Sequence, residues 1–205
     1  RGNQALKDRI LRSIVSFDNV CSYCLTEPGS GSDAAALKTK ATITNEGYSL
    51  NGSKSFISGG GFSDLYVVLC RTGDQSPNGI SMLLVEDGQA GLSFGKKEQK
   101  MGWKAQPTAV VQFDNCSISA ENLVGEEGAG FKYAMEGLDG GRLNIAAASL
   151  GGAQKAYEIA KAYSKERSAF GKPISKFQSI EFKLADMATQ LEAARLFLRN
   201  AAWKL

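Results

Sequence analysis

Apolar positions follow a helical spacing at the two ends of the chain and a strand-like pattern between them. From Asn3 to Ile14, Leu6, Ile10, Leu11 and Ile14 recur among charged residues, which predicts one amphipathic helix. From Tyr23 to about Ile118 come short runs rich in branched and aromatic residues, such as Leu65-Tyr66-Val67-Val68-Leu69 and Ile80-Ser81-Met82-Leu83-Leu84-Val85, bounded by Gly, Asn and Asp. Ala41 to Thr44 and Tyr48 to Leu50, either side of Asn45-Glu46-Gly47, predict a hairpin. Strands at this spacing with no helices between them favour an antiparallel sandwich or barrel. Beyond Gly128 the helical period returns, with one helix around Ile145 to Tyr163. A second carries a continuous stripe of Ile180, Leu184, Met187, Leu191, Ala194, Leu198 and Ala201. A stripe that long calls for several partner helices in a bundle. The expected class is α+β: the end of an N-terminal helical domain over residues 1–20, a β-domain over 21–120, and the first part of an incomplete C-terminal helical bundle over 121–205. Both ends interrupt a pattern, which predicts a piece of a larger protein.

Composition narrows the chemistry more than the fold. The 205 residues carry a formal net charge of +3, too small to imply a nucleic-acid partner by itself. No stretch reaches the roughly 18 consecutive apolar residues of a membrane span, and the first residues lack the apolar core of a signal peptide. Cys21, Cys24, Cys70 and Cys116 are too few and scattered for a disulfide framework, which suits a reducing compartment. The absence of histidine removes Ser-His and Cys-His nucleophilic mechanisms. Cys21 and Cys24 have the spacing of a redox pair, but such a pair should open a helix, and this one runs into a strand-like segment. A four-cysteine zinc site would require Cys70 and Cys116 to converge on it from separate strands.

Gly29-Ser30-Gly31-Ser32-Asp33-Ala34 matches the glycine-rich dinucleotide fingerprint, with Glu46 downstream. That motif must open a full crossover helix, whereas Ala34 to Lys38 allows barely one turn before the next predicted strand. A glycine-serine loop that reverses the chain is the simpler reading of these residues alone.

The longer phrase Tyr23-Cys24-Leu25-Thr26-Glu27-Pro28-Gly29-Ser30-Gly31-Ser32-Asp33 closely resembles the flavin-binding signature of the acyl-CoA dehydrogenases. The resemblance continues in order through Leu50 to Gly59, Gly125 to Phe131, Gly140-Gly141-Arg142, and Glu166 to Ile174. Within the family, Phe56-Ile57-Ser58 and Gly140 to Ala146 are most similar to the isobutyryl-CoA, or short branched-chain, subfamily. The resemblance implies FAD as cofactor, with Tyr23, Cys24, Leu25 and Thr26 as a strand along the flavin and Phe56, Ile57 and Ser58 over its other face. Many relatives have Trp and Thr where this chain has Phe56 and Ser58. It also implies that Arg167, Ser168, Ala169, Phe170 and Gln178 hold the pyrophosphate and adenine of a neighbouring subunit's flavin, for which the planar fork of an arginine is suited. Ser32 and the stretch Asp139, Gly140, Gly141 and Arg142 would face the acyl-CoA. Without the resemblance, Phe56 is equally a core aromatic, Arg142 a surface cation, and Lys165-Glu166-Arg167 a solvated helix end.

The implied activity is α,β-dehydrogenation of a short acyl-CoA thioester, with electrons passed to an electron-transfer flavoprotein. A homo-oligomer is implied, in the mitochondrial matrix of a eukaryote or the cytoplasm of a bacterium. A glutamate acts as base in the family. In most members it lies beyond the position matching Leu205, and in a minority it stands where this chain has Gly141, so no catalytic residue is expected within these residues. A flavin- or CoA-binding assembly module without turnover, and a structural β-plus-helix protein, are the readings from other classes.

Overall fold

Asn3 opens the first helix, α1 (Gln4–Val15), by accepting the Leu6 amide proton at 2.8 Å in the computed structural model, which describes all 205 residues. Of the stripe foreseen on this helix, Leu6, Ile10 and Ile14 pack with Leu65, Val67, Leu84 and Val124, whereas Leu11 is exposed.

The sheet is built from β1 (Cys21–Cys24), β2 (Lys40–Thr44), β3 (Gly47–Ser58), β4 (Leu65–Arg71), β5 (Ile80–Glu86), β6 (Leu92–Phe94) and β7 (Thr108–Ser119). Its order is β1-β4-β2-β3-β7-β6, with β5 on β4. β2 and β3 form the expected hairpin, Ala41 facing Leu50 and Thr44 facing Gly47. Gly47 has φ +144, and a Cβ there would meet the Ile118 carbonyl at 2.2 Å, so the hairpin end requires glycine. One face of the curled sheet encloses a core of Leu50, Tyr66, Val68, Leu83, Val111 and Cys116. β4 is buried on both faces because α1 covers the side bearing Leu65 and Val67, which explains its unbroken apolar run.

Strand direction departs from the antiparallel expectation at two pairings, both on β4. β1 pairs with β4 in parallel, Cys21 beside Leu65 and Cys24 beside Val68, and a single parallel bridge joins Lys40 to Arg71. The long connection through β2 and β3 carries the chain back to the same end of the sheet, which parallel pairing requires.

The chain divides into two compact units, residues 1–135 and 136–205. Helix α2 (Gly130–Glu166) begins in the first and supplies most of the second, followed by a short hairpin of β8 (Ser168–Ala169) and β9 (Lys172–Pro173) and by α3 (Gln178–Lys204). α2 starts well before the expected Ile145 and runs through Gly137, Gly140 and Gly141, each of which costs about 1 kcal/mol against alanine in a helix interior. Between α2 and α3 runs an apolar groove of about 710 Å³ whose walls include Leu150, Ala153, Met187, Leu191 and Leu198. The Arg195 guanidinium bridges it by donating to the Gln154 side chain at 2.8 Å.

Candidate functional site

β1 alternates in burial, so Ser22 and Cys24 face inward while Cys21 and Tyr23 face out. The two thiols of the Cys21–Cys24 spacing therefore lie on opposite faces of one strand. Just past β1, the second half of β3 runs alongside: the Ser55 amide donates to the Thr26 carbonyl at 2.8 Å, and the Ser22 hydroxyl donates to the Ser58 carbonyl at 2.6 Å. Tyr23-Cys24-Leu25-Thr26 and Phe56-Ile57-Ser58 are thus brought together as neighbours.

The pairing of β3 with β7 slips between Lys54 and Ile57, and Phe56 occupies the irregularity with φ +59. A positive φ is an outlier for a bulky side chain, and it aims the ring outward, 69% exposed, while Ile57 is buried. Lys54 and Ser55 also face inward, whereas Ser58 is exposed. Phe56 is consequently no core aromatic. Two neighbouring strands present Tyr23 and Phe56 rings, a half-buried Thr26 and the Ser58 hydroxyl to the outside. Exposed rings held on bonded strands suit a flat aromatic ligand with polar edges.

Behind this edge lies a buried ion pair that the sequence pattern did not disclose. The Lys54 ammonium donates to Glu27 Oε1 at 2.8 Å and to the Leu25 carbonyl at 3.0 Å, with Lys54 fully buried. Glu27 also accepts the Lys38 amide at 2.6 Å and the Thr39 amide at 2.9 Å. Burial works against the Glu27 carboxylate, but Lys54 and these amides outweigh it and hold the carboxyl below its ordinary value. Burial pulls the Lys54 ammonium down, opposed by Glu27. Burial also pushes the Tyr23 phenol and the Cys24 thiol up to about 12, so neither is a nucleophile at neutral pH.

Ser32 stands exposed in the loop between β1 and β2, where Ala34–Ala36 is a single 3-10 turn rather than a crossover helix, which disposes of the dinucleotide fingerprint. In the second unit, Asp139, Gly140, Gly141 and Arg142 are successive residues of α2, and Arg142 lies 3.8 Å from Asp139 on an exposed surface. Arg167, Ser168, Ala169 and Phe170 follow the end of α2, and Gln178 opens α3. Phe170 is 95% exposed at φ +50, with its ring edge-on to Phe177. The Lys172 ammonium sits 4.5 Å from the Phe177 ring centroid, a cation–π contact. Arg142 and Arg167 are 25 positions apart, nearly all helical, which at 1.5 Å per residue is about 37 Å. Within one chain these two arginines cannot grip the same end of one ligand.

Residues 22–116 match the middle domain of acyl-CoA dehydrogenase, and residues 128–205 match the C-terminal domain of acyl-CoA dehydrogenase. The chain is 54% identical over 202 residues to the mitochondrial isobutyryl-CoA dehydrogenase of Dictyostelium discoideum, covering 98% of this chain and 49% of that protein. Among solved structures, butyryl-CoA dehydrogenase from Megasphaera elsdenii superposes with a TM-score of 0.94 at 46% identity, over 98% of this chain and 53% of that one. PigA, solved with FAD and proline, superposes at 0.92 with 32% identity, over 99% and 53%. The chain spans about half the length of the curated relatives it matches. With both domain models matched in order, 54% identity to one relative and a TM-score of 0.94 to another, the chain belongs to the acyl-CoA dehydrogenase family.

Proposed function

We propose that this chain supplies the flavin cradle and part of the substrate groove of an FAD-dependent dehydrogenase acting on short branched acyl-CoA thioesters, isobutyryl-CoA above all. The observation that carries this is the juxtaposition of Tyr23–Thr26 with Phe56–Ser58, joined by the bonds from Ser55 to Thr26 and from Ser22 to Ser58. In this reading the Thr26 hydroxyl and nearby amides would hold the pyrimidine edge of the flavin, Phe56 would cover the ring, and the Ser58 hydroxyl would serve its N5. The relative solved with FAD supports the choice of cofactor, and the isobutyryl-CoA relatives support the acyl chain. FAD held there would supply the hydride acceptor for the β-carbon of the thioester.

The chain's own residues bind and orient. Ser32 contacts the thioester-bearing ligand, with Asp139 to Arg142 beside the thioester and pantetheine. Arg167, Ser168, Ala169, Phe170 and Gln178 serve the pyrophosphate and adenine held by a second copy, in keeping with the roughly 37 Å separating the two arginines of α2 and its end. An electron-transfer flavoprotein would take up the electrons. The mitochondrial relative supports the matrix as the location if the source is a eukaryote.

Removal of the α-proton needs a base, and position 141 offers a glycine while Asp139, exposed, faces Arg142. This favours, for the 205 residues alone, a second reading as a binding module without turnover. Reconstitution with FAD followed by anaerobic addition of isobutyryl-CoA tests both. Flavin bands near ~370 and ~450 nm that persist after the thioester is added are the expected result, these bands being the cofactor's own. Rapid bleaching would reveal a base within these residues. A protein that takes up no FAD would refute the cradle.

A further inference from the structure

The loop from Pro28 to Leu37 joins β1 to β2; its first turn is closed by Glu27 and Ser30, whose amides and carbonyls pair at 2.9 and 3.2 Å, and beyond that turn its own bonding is sparse. The Ser30 hydroxyl donates to the Asp33 carbonyl at 2.7 Å, and the Ala36 amide donates to Asp33 at 3.1 Å. Gly29 and Gly31 have open space around them, and Ser32 is exposed between these contacts. A glycine-rich segment of this kind samples many shapes unless something outside it removes them. One end is pinned by Glu27, which accepts the Lys38 and Thr39 amides.

The other fastening is Arg71, the last residue of β4, which is buried. Its side chain reaches in two directions. Nη2 donates to the Ala35 carbonyl at 2.7 Å and Nε to the Leu37 carbonyl at 3.3 Å, both on the Ser32 loop. Nη1 donates to the Ser76 carbonyl at 3.0 Å and also to the Asp74 carbonyl, both on the turn that joins β4 to β5. That turn is itself tight. Asp74 accepts the Ser76 amide at 2.9 Å and the Ser76 hydroxyl at 2.6 Å, and a Cβ on Gly79 would meet the Asp74 carbonyl at 2.1 Å. A buried guanidinium satisfied by four main-chain carbonyls on two loops fixes the shape of one against the other. A lysine, a point donor on a single stem, cannot span both.

The geometry points to Arg71 as a positioning residue for acyl-CoA recognition: it holds the Ser32 loop in its ligand-ready shape by tying Ala35 and Leu37 to the turn at Asp74 and Ser76. This rests on the assignment of Ser32 to the acyl-CoA proposed above. Preorganisation of this kind shows as ligand affinity, because an untethered loop must be ordered at the moment of binding. Flavin binding, which uses Tyr23–Thr26 and Phe56–Ser58, should be spared.

The test uses the FAD-loaded protein and calorimetric titration with S-isobutyl-CoA, a thioether that cannot be dehydrogenated. Arg71→Lys should weaken this ligand about tenfold, and Asp74→Ala, which loosens only the exposed far turn, about threefold, as expected for lost preorganisation. Both should leave FAD affinity within about twofold, since the side-chain partners of Arg71, namely Ala35, Leu37, Asp74 and Ser76, are not among the residues of that site. In a Ser32→Ala background both effects should shrink, because residues acting through one contact are not additive. Asp74→Ala keeps the inference falsifiable if Arg71→Lys fails to fold. Unchanged S-isobutyl-CoA affinity in Asp74→Ala, a parallel loss of FAD affinity, or full additivity with Ser32→Ala would each overturn it. A wild-type protein that binds FAD but not S-isobutyl-CoA, or binds neither, would instead remove the functional reading on which it rests.

Discussion

Lys54 and Glu27 show how one residue pair fixes the edge on which a larger site depends. Lys54 reaches both the Glu27 carboxylate and the Leu25 carbonyl, so the pair clamps the end of β1 to β3 where Thr26 and Ser55 meet. Removing one partner of a buried pair strands the other. Glu27→Gln is expected to lower stability by about 3–5 kcal/mol, whereas replacing both together with Gln and Met should recover part of it. Lys54→Met alone should cost less than Glu27→Gln, since the carboxylate keeps the Lys38 and Thr39 amides. Urea denaturation of the three variants measures this, and a double variant no better than Glu27→Gln would contradict the pairing. The pH dependence has a definite sign. Glu27 is held below its ordinary value of 4.5, so its contribution is present above that pH and disappears as pH falls through the lower folded value. The acid limb of the stability curve should therefore be shallower in Glu27→Gln than in the wild type.

At the scale of elements, the irregularity in β3 is the feature most open to test. Phe56 holds a positive φ that costs of order 1–3 kcal/mol for a residue with a side chain, and its ring is exposed rather than packed. Phe56→Gly removes that strain at an entropic cost of about 0.5–1 kcal/mol, so stability should hold or rise while flavin affinity falls. Denaturation and flavin-fluorescence titration read the two effects separately. A large stability loss with unchanged flavin affinity would make Phe56 a packing residue. The same strand shows where sequence patterns stop informing. The β2–β3 hairpin was legible because Asn45-Glu46-Gly47 interrupts two short strand runs, and α1 because Leu6, Ile10 and Ile14 share a face. The inward course of Lys54 was not legible, because a lysine in a strand reads as solvent-facing until its partner 27 residues away is known. The parallel pairing of β1 with β4 was hidden for a related reason: alternation specifies which face a side chain takes, not the neighbour or its direction. α2 was underestimated because glycines at 137, 140 and 141 weaken the local helical signal.

At the scale of the whole molecule, the two units differ in how well they cover their own apolar surface. The first encloses Leu50, Tyr66, Val68, Leu83, Val85 and Val111 completely. The second is two long helices and a hairpin, and no residue of α3 is buried. Ile145, Ile159, Tyr163, Phe182, Leu196, Phe197 and Trp203 are more than half exposed on it. Their number and size exceed the scattered apolar residues of an ordinary monomer surface, and exposed apolar area of this kind is an association site or an aggregation hazard. No helix here is long and apolar enough to cross a membrane, so these side chains do not belong to a membrane-spanning helix. The 205-residue chain is therefore expected to self-associate at micromolar concentration. Sedimentation velocity should show species larger than the 21.8 kDa monomer, shifting with concentration. Charged substitutions at Phe197 and Trp203, both exposed and without a packing role in α3, should move the distribution toward monomer without loss of helix. A wild-type chain that sediments as a single monomeric species would show that these faces are not cohesive. If the association persists in the charged variants, the contact lies on another face.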